Sequence, residues 1–161
     1  ESWSDRRERF EPFPDWLADG VEVSEPTALF YALAASSLDK VGDRIELPIL
    51  SDDELILVEA VVGGREEIEV DYLRTSSAGE EAVRGRVSAL RVELGGRRMD
   101  PRSTTANLEF MGMRGKIEIF LDPETRAPLQ VSGRVPVAGR AHARVRRLTL
   151  KDEPPIGRSL Q

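Results

Sequence analysis

From Arg44 onward the apolar residues of this chain recur at every second position, the spacing of strands with one covered face. Ile45, Leu47 and Ile49 alternate with polar neighbours. Pro48 marks that strand as an edge, because proline cannot donate to a central ladder. Leu55 to Val62 is a continuous apolar run broken only by Glu59, the pattern of a strand buried on both faces. Gly63-Gly64 then has the chemistry of a two-residue hairpin turn. It would return the chain through Ile68, Val70 and Tyr72, whose neighbours Glu67, Glu69 and Asp71 predict one wet face. Thr75 to Gly79 is expected to be a loop. Val83 to Leu94 follows as a strand with Leu90, Val92 and Leu94 on one face; Gly85 and the phase change between Val87 and Leu90 predict a bulge. Gly95 to Thr105 is rich in turn residues and is expected to be a loop.

The stretch Gly112 to Leu150 predicts three strands joined by two tight turns. Ile117, Ile119 and Leu121 share a face, Asp122-Pro123-Glu124-Thr125 has type I turn chemistry, and Leu129, Val131 and Val135 continue the face on the return strand. Gly139 makes the next turn. In the last strand Ala141, Ala143 and Val145 occupy one phase while Leu148 and Leu150 occupy the other. A one-residue slip near Arg146-Arg147 would bring all five to one side. Ahead of Arg44 a short helix is expected. Ser24 or Glu25 starts it, Pro26 suits its first turn, and Leu29, Phe30, Leu33 and Ala34 share one face. The turn Lys40 to Asp43 ends that segment.

These elements predict a mainly β fold: a curved antiparallel sheet or incomplete β-barrel of ~6–8 strands, with one short α-helix packed on its concave side. Residues 1–161 form a single expected domain, with 1–23 as arm and loop and 151–161 as tail. It is expected to be the C-terminal part of a longer β-rich protein. The apolar set Leu29, Phe30, Leu33, Ile117, Ile119, Leu129 and Val131 is the core between helix and sheet. If the sheet curves without being filled, the same residues line a cavity for an apolar ligand.

Composition narrows the chemistry. There is no cysteine and a single histidine, His142. Thiolate nucleophiles, Fe–S clusters, cysteine-based zinc sites and a Ser-His-Asp set therefore have almost nothing to draw on, and no cofactor or metal site is expected. His142 sits in the phase opposite the proposed core with no partner legible. The net charge of −6 argues against a nucleic-acid partner. No apolar run approaches the ~20 residues of a membrane-spanning helix, so no transmembrane segment is expected. Asp52/Asp53 and Glu66/Glu67 are carboxylate pairs, but adjacent strand residues point to opposite faces and calcium-loop spacing is absent. Arg134, Arg140, Arg144, Arg146 and Arg147 cluster on the last strands, with Arg6, Arg7 and Arg9 near the start. Such a set either guards strand edges or receives an anionic headgroup or acidic partner.

Three pieces carry a family resemblance: EPTALFYALAAS, KVGDRIELPILSDDELILVEAVVGGREEIEV and MRGKIEIFLDPETRAPLQVSGRVPVAGRAHARVRRLTL. In this order, over roughly 25–150, the chain resembles the bacterial exported family known as domain of unknown function 3108. The resemblance implies an exported, envelope-associated protein of the periplasm, its signal peptide absent from this sequence, and it implies no catalytic residue. The expected function is a non-catalytic binding or scaffold protein, whose partner is an apolar or lipid-like molecule in a half-barrel or another envelope protein. The alternatives are an assembly module pairing through a sheet edge and, last, a hydrolase.

Overall fold

The structure, a computed structural model, describes residues 14, 15, 17, 20–51, 54–102 and 108–150. Expectations for 1–13, Trp16, Asp52/Asp53, 103–107 and 151–161 lie outside the described residues. One helix, α1 (Ala28–Ala35), precedes seven strands: β1 (Arg44–Ser51), β2 (Glu54–Ser76), β3 (Gly79–Arg98), β4 (Arg114–Leu121), β5 (Pro128–Val135), β6 (Gly139–Arg144) and β7 (Arg147–Thr149). The strands form one curved sheet in the order β1-β2-β3-β4-β5-β6, not closed into a barrel. Every neighbouring pair is antiparallel except β2 and β7, which run parallel at Leu73–Arg147 to Thr75–Thr149. The mainly β class with a single helix is as the alternation predicts.

The helix is short because its signals are weak. Thr27 provides no side-chain cap, and Ser36 turns extended while its hydroxyl donates to the Ala32 carbonyl. Eight residues do not hold a helix in water. Leu29 and Leu33, both fully buried, hold it against the sheet, each contributing about 2 kcal/mol of apolar burial. Ala34, expected on that face, is exposed; Leu29 and Leu33 are buried in the core and Phe30 packs against it.

Under the helix lies the larger core. Ile56, Val58, Ala60 and Val62 of β2, Leu90, Val92 and Leu94 of β3, and Ile117, Ile119 and Leu121 of β4 share this face. Phe30 meets Phe110 edge-on, ring centroids 5.4 Å apart. Pro48 lies in an edge strand, as expected, and its carbonyl accepts from Ser24 in the segment alongside.

Gly63-Gly64 is not a hairpin turn. β2 runs straight through it for 23 residues, and the register slips once there, from Val62 opposite Val92 to Gly64 opposite Arg91. The extra residue is a β-bulge, and Gly64 at φ +123° adopts a backbone that L side chains resist. The slip reverses which positions face which side. Before it, even-numbered residues of β2 meet the larger core; after it, Ile68, Val70 and Tyr72 meet a smaller one on the opposite face, with Ala89, Phe120 and Leu129.

Other expectations are corrected by the same geometry. The bulge predicted in β3 lies on its partner: β3 keeps its register, with Val87 against the smaller cluster and Leu90 in the larger. Gly95 and Gly96 are strand residues rather than loop. A Cβ on Gly96 would stand 3.1 Å from Leu108 and 3.2 Å from Ile56, so glycine lets those two close over the strand. The phase break near Arg146 is real, but it moves the chain from β5 to β2 instead of aligning one face. Ala143 packs on the larger cluster, and Val145 and Leu148 on the smaller. Leu129, expected with Ile117, belongs to the smaller cluster, because a slip between Phe120 and Leu121 displaces it.

Candidate functional site

Registers across β3 to β6 stack polar side chains in rows on the face opposite the helix. Glu93, Glu118, Ser132 and His142 are successive cross-strand partners, and the next row is Arg91, Phe120, Gln130 and Arg144. Arg134 lies opposite Arg140 in a third row. In strands this apolar, three polar residues are nonetheless buried here: Glu118, Gln130 and Ser132.

Glu118 is the centre. Its Oε1 lies 3.2 Å from Arg91 Nη1 and 3.2 Å from Lys116 Nζ, and its Oε2 lies 3.1 Å from Arg140 Nη2. A buried carboxylate is tolerable only when so paired. Arg91 is held in turn: its Nη2 donates to the Gly63 carbonyl at 3.1 Å and meets Glu93 at 3.2 Å. The bulge thus places a carbonyl where the guanidinium needs one. The hydrogen bond and charge of Glu118, then Glu93, hold the Lys116 ammonium above the usual lysine pKa.

Around this centre opens a cleft of about 620 Å³, lined by Glu66, Arg91, Lys116, Glu118, Arg134 and Arg140 with Gly115 and Gly133. Four cations face two carboxylates. Lys116 and Arg140 are 62% and 69% exposed, so each retains donors toward solvent. Arg134 is exposed and makes no side-chain hydrogen bond or ion pair among the described residues. The arrangement is suited to receiving an oxyanion: strand-mounted donors around one open space, with a buried carboxylate fixing Arg91, Lys116 and Arg140.

Farther along the Glu118 row, and in the row beside it, lies an arrangement that the sequence did not reveal. Ser132 Oγ lies 2.7 Å from His142 Nδ1, and Gln130 Nε2 donates to Ser132 Oγ at 3.0 Å. Arg144 Nε donates to Gln130 Oε1 at 2.9 Å. Ser132 Oγ and His142 Nδ1 share one hydrogen bond, whose donor follows the His142 tautomer. His142 therefore has the partner that sequence reasoning could not supply. Ser132, however, is 1% exposed, and its hydroxyl has no path to an incoming substrate.

Of the seven apolar candidates, Leu29, Leu33, Ile117, Ile119 and Val131 are buried in the larger cluster and Phe30 packs against it. Leu129 sits on the other side, where it also borders a small cleft with Glu69, Val70 and Arg144. Glu66 enters the polar cleft while Glu67 points away from it, as strand alternation requires. Glu118, Arg91 and Lys116 went unmarked in the sequence. Their one signal is a carboxylate inside the otherwise apolar run Ile117 to Leu121.

Among the described residues no cluster of His, Asp and Glu is arranged to hold a metal ion, and no helix is long and apolar enough to cross a membrane. Comparison with family models, curated proteins and solved structures found no match for this chain.

Proposed function

We propose that this protein is a non-catalytic binding protein of the bacterial envelope, exported to the periplasm, and that its binding site is the cleft around Glu118. The observation that carries the reading is the convergence of Arg134, Arg140 and Lys116 on one open space, the last two held by a buried carboxylate that also occupies Arg91. The exported setting rests on the family resemblance of residues 25–150. The non-catalytic part rests on Ser132, whose burial keeps its hydroxyl from an incoming substrate although His142 beside it is exposed. An apolar ligand between helix and sheet is less well supported, because Leu29 and Leu33 fill that space. Edge pairing is also less well supported: the stretch of β3 that pairs with β2 but not with β4 carries Glu80, Glu81, Arg84 and Arg86, the charges that guard an edge.

Titration calorimetry with inorganic pyrophosphate tests the cleft. Binding is expected, weakening with added salt, and each of Arg134→Ala and Arg140→Ala should cost about tenfold in affinity. Wild-type protein that binds no anion would overturn the reading. So would a hydrolase panel showing turnover that disappears in His142→Ala.

A further inference from the structure

The cleft opens at an end of the sheet where two turns carry apolar side chains into water. Arg114 lies opposite Arg134 across β4 and β5, so the Phe110–Met113 turn and the β5–β6 turn project from the same end. Val137, at the tip of the second, is fully exposed, and Met111, in the first, is 58% exposed. Both hold positive φ, 73° and 53°. A β-branched residue in that region is strained, and asparagine or glycine would relieve either turn. Stability and solubility therefore explain neither residue, and strain retained at an exposed apolar tip points to a use.

The apolar tips and the cations form one surface. A groove of about 440 Å³ runs from Arg134 along Val135 and Pro136 to Val137, adjoining the larger cleft at Arg134 and Gly115. Arg134, Arg140 and Lys116 thus stand directly behind the tips. In a chain of net charge −6, the cleft and groove are lined by five cations against Glu66 and Glu118, with Glu93 and Glu109 paired to Lys116 and Arg114 at the edge.

We propose that this end of the sheet docks onto an anionic lipid bilayer. Val137 and Met111 enter the headgroup layer while Arg134, Arg140 and Lys116 hold lipid phosphates. The inference rests on the reading of the cleft as an oxyanion site and adds where the oxyanion comes from. Charge complementarity selects an anionic surface. The spacing of the apolar groups selects a membrane over a protein, since two single side chains on separate turns do not make the contiguous core of a protein interface. They do match shallow insertion beside a basic patch.

The test pairs vesicle sedimentation with pyrophosphate calorimetry on the same proteins. Wild type is expected to sediment with phosphatidylglycerol-containing vesicles and to stay in solution with phosphatidylcholine alone. The double variant Val137→Ser/Met111→Ser should bind pyrophosphate as wild type does yet lose about tenfold in vesicle partitioning. Arg134→Ala/Arg140→Ala should lose both, with partitioning falling about fivefold per arginine. If wild type binds pyrophosphate but ignores anionic vesicles, the membrane inference is overturned and the cleft stands. If it binds neither, both fall. Vesicle binding indifferent to the Val137 and Met111 changes would overturn the docking geometry.

Discussion

On one face of this sheet, Ile56, Val58, Val62, Val92, Ile117 and Ile119 form one apolar cluster with Leu29 and Leu33 of a helix. On the other, a smaller cluster around Ile68, Val70 and Phe120 gives way within a few residues to Glu118, Gln130, Ser132 and a set of arginines. The same β4 residues alternate between the two: Ile117, Ile119 and Leu121 look one way, Glu118 and Phe120 the other. The difference teaches that the helix-covered face supplies most of the stability, whereas the opposite face gives up part of its apolar area to positioned charge. The bulge at Gly63 joins them, because it changes which face the long hairpin of β2 and β3 covers and hands its carbonyl to Arg91.

That contrast can be broken most severely from the helix side. Leu33→Ala should destabilise the protein by about 3 kcal/mol, since a fully buried leucine leaves both lost contacts and a cavity. Denaturant unfolding reads this directly, and a loss below about 1 kcal/mol would mean that the helix contributes little. The joint between the faces comes next. Gly64→Ala forces a side chain into φ +123° and should cost about 2 kcal/mol. Gly63→Ala meets only the ends of Arg91 and Glu93, so it should cost less in unfolding while weakening anion binding by displacing Arg91.

On the polar face the expected effect on stability is smaller and the effect on binding opposite in sign. Glu118→Gln removes the negative charge at the centre of three cations, so pyrophosphate should bind about fivefold tighter while stability falls by about 1 kcal/mol. Unchanged affinity would show that the cations act independently of Glu118, and weaker affinity that its positioning of them outweighs its charge. The smallest effect is a pH dependence in the lesser apolar cluster. Burial, then the charge of Asp122, raises the Tyr72 pKa above its ordinary value of 10.0. The unfolded chain therefore loses that proton first. The contribution is complete below about pH 10 and declines as pH rises through the folded value. Tyr72→Phe should flatten that alkaline decline in a pH series of unfolding midpoints.

Much of the fold was legible. Cross-strand ion pairs between β2 and β3, Asp71 with Arg84 at 3.0 Å and Glu69 with Arg86 at 3.9 Å, line the wet face that alternation predicted. The Asp122 turn also formed as its residues indicate, with Oδ1 accepting from the Glu124 and Thr125 amides. The misread junction carried its own warning. A two-residue hairpin at Gly63-Gly64 would set Val58 opposite Glu69 and Ala60 opposite Glu67, mixing core and solvent on one face. Only a bulge keeps both apolar runs buried. Of the candidate site, the clustering of Arg134 and Arg140 was visible, but its centre was not. A lone glutamate in an apolar strand has no local pattern that names Arg91, 27 residues away, as its partner.

By itself the sequence determined the pleated backbone, the position of the helix and most turns, because periodicity, proline and glycine act over a few residues. Tertiary structure decided which face each half of the long hairpin covers, and so which charges meet. That outcome depends on one slipped residue in the register and on pairing between distant strands. Local propensity carries no information about either.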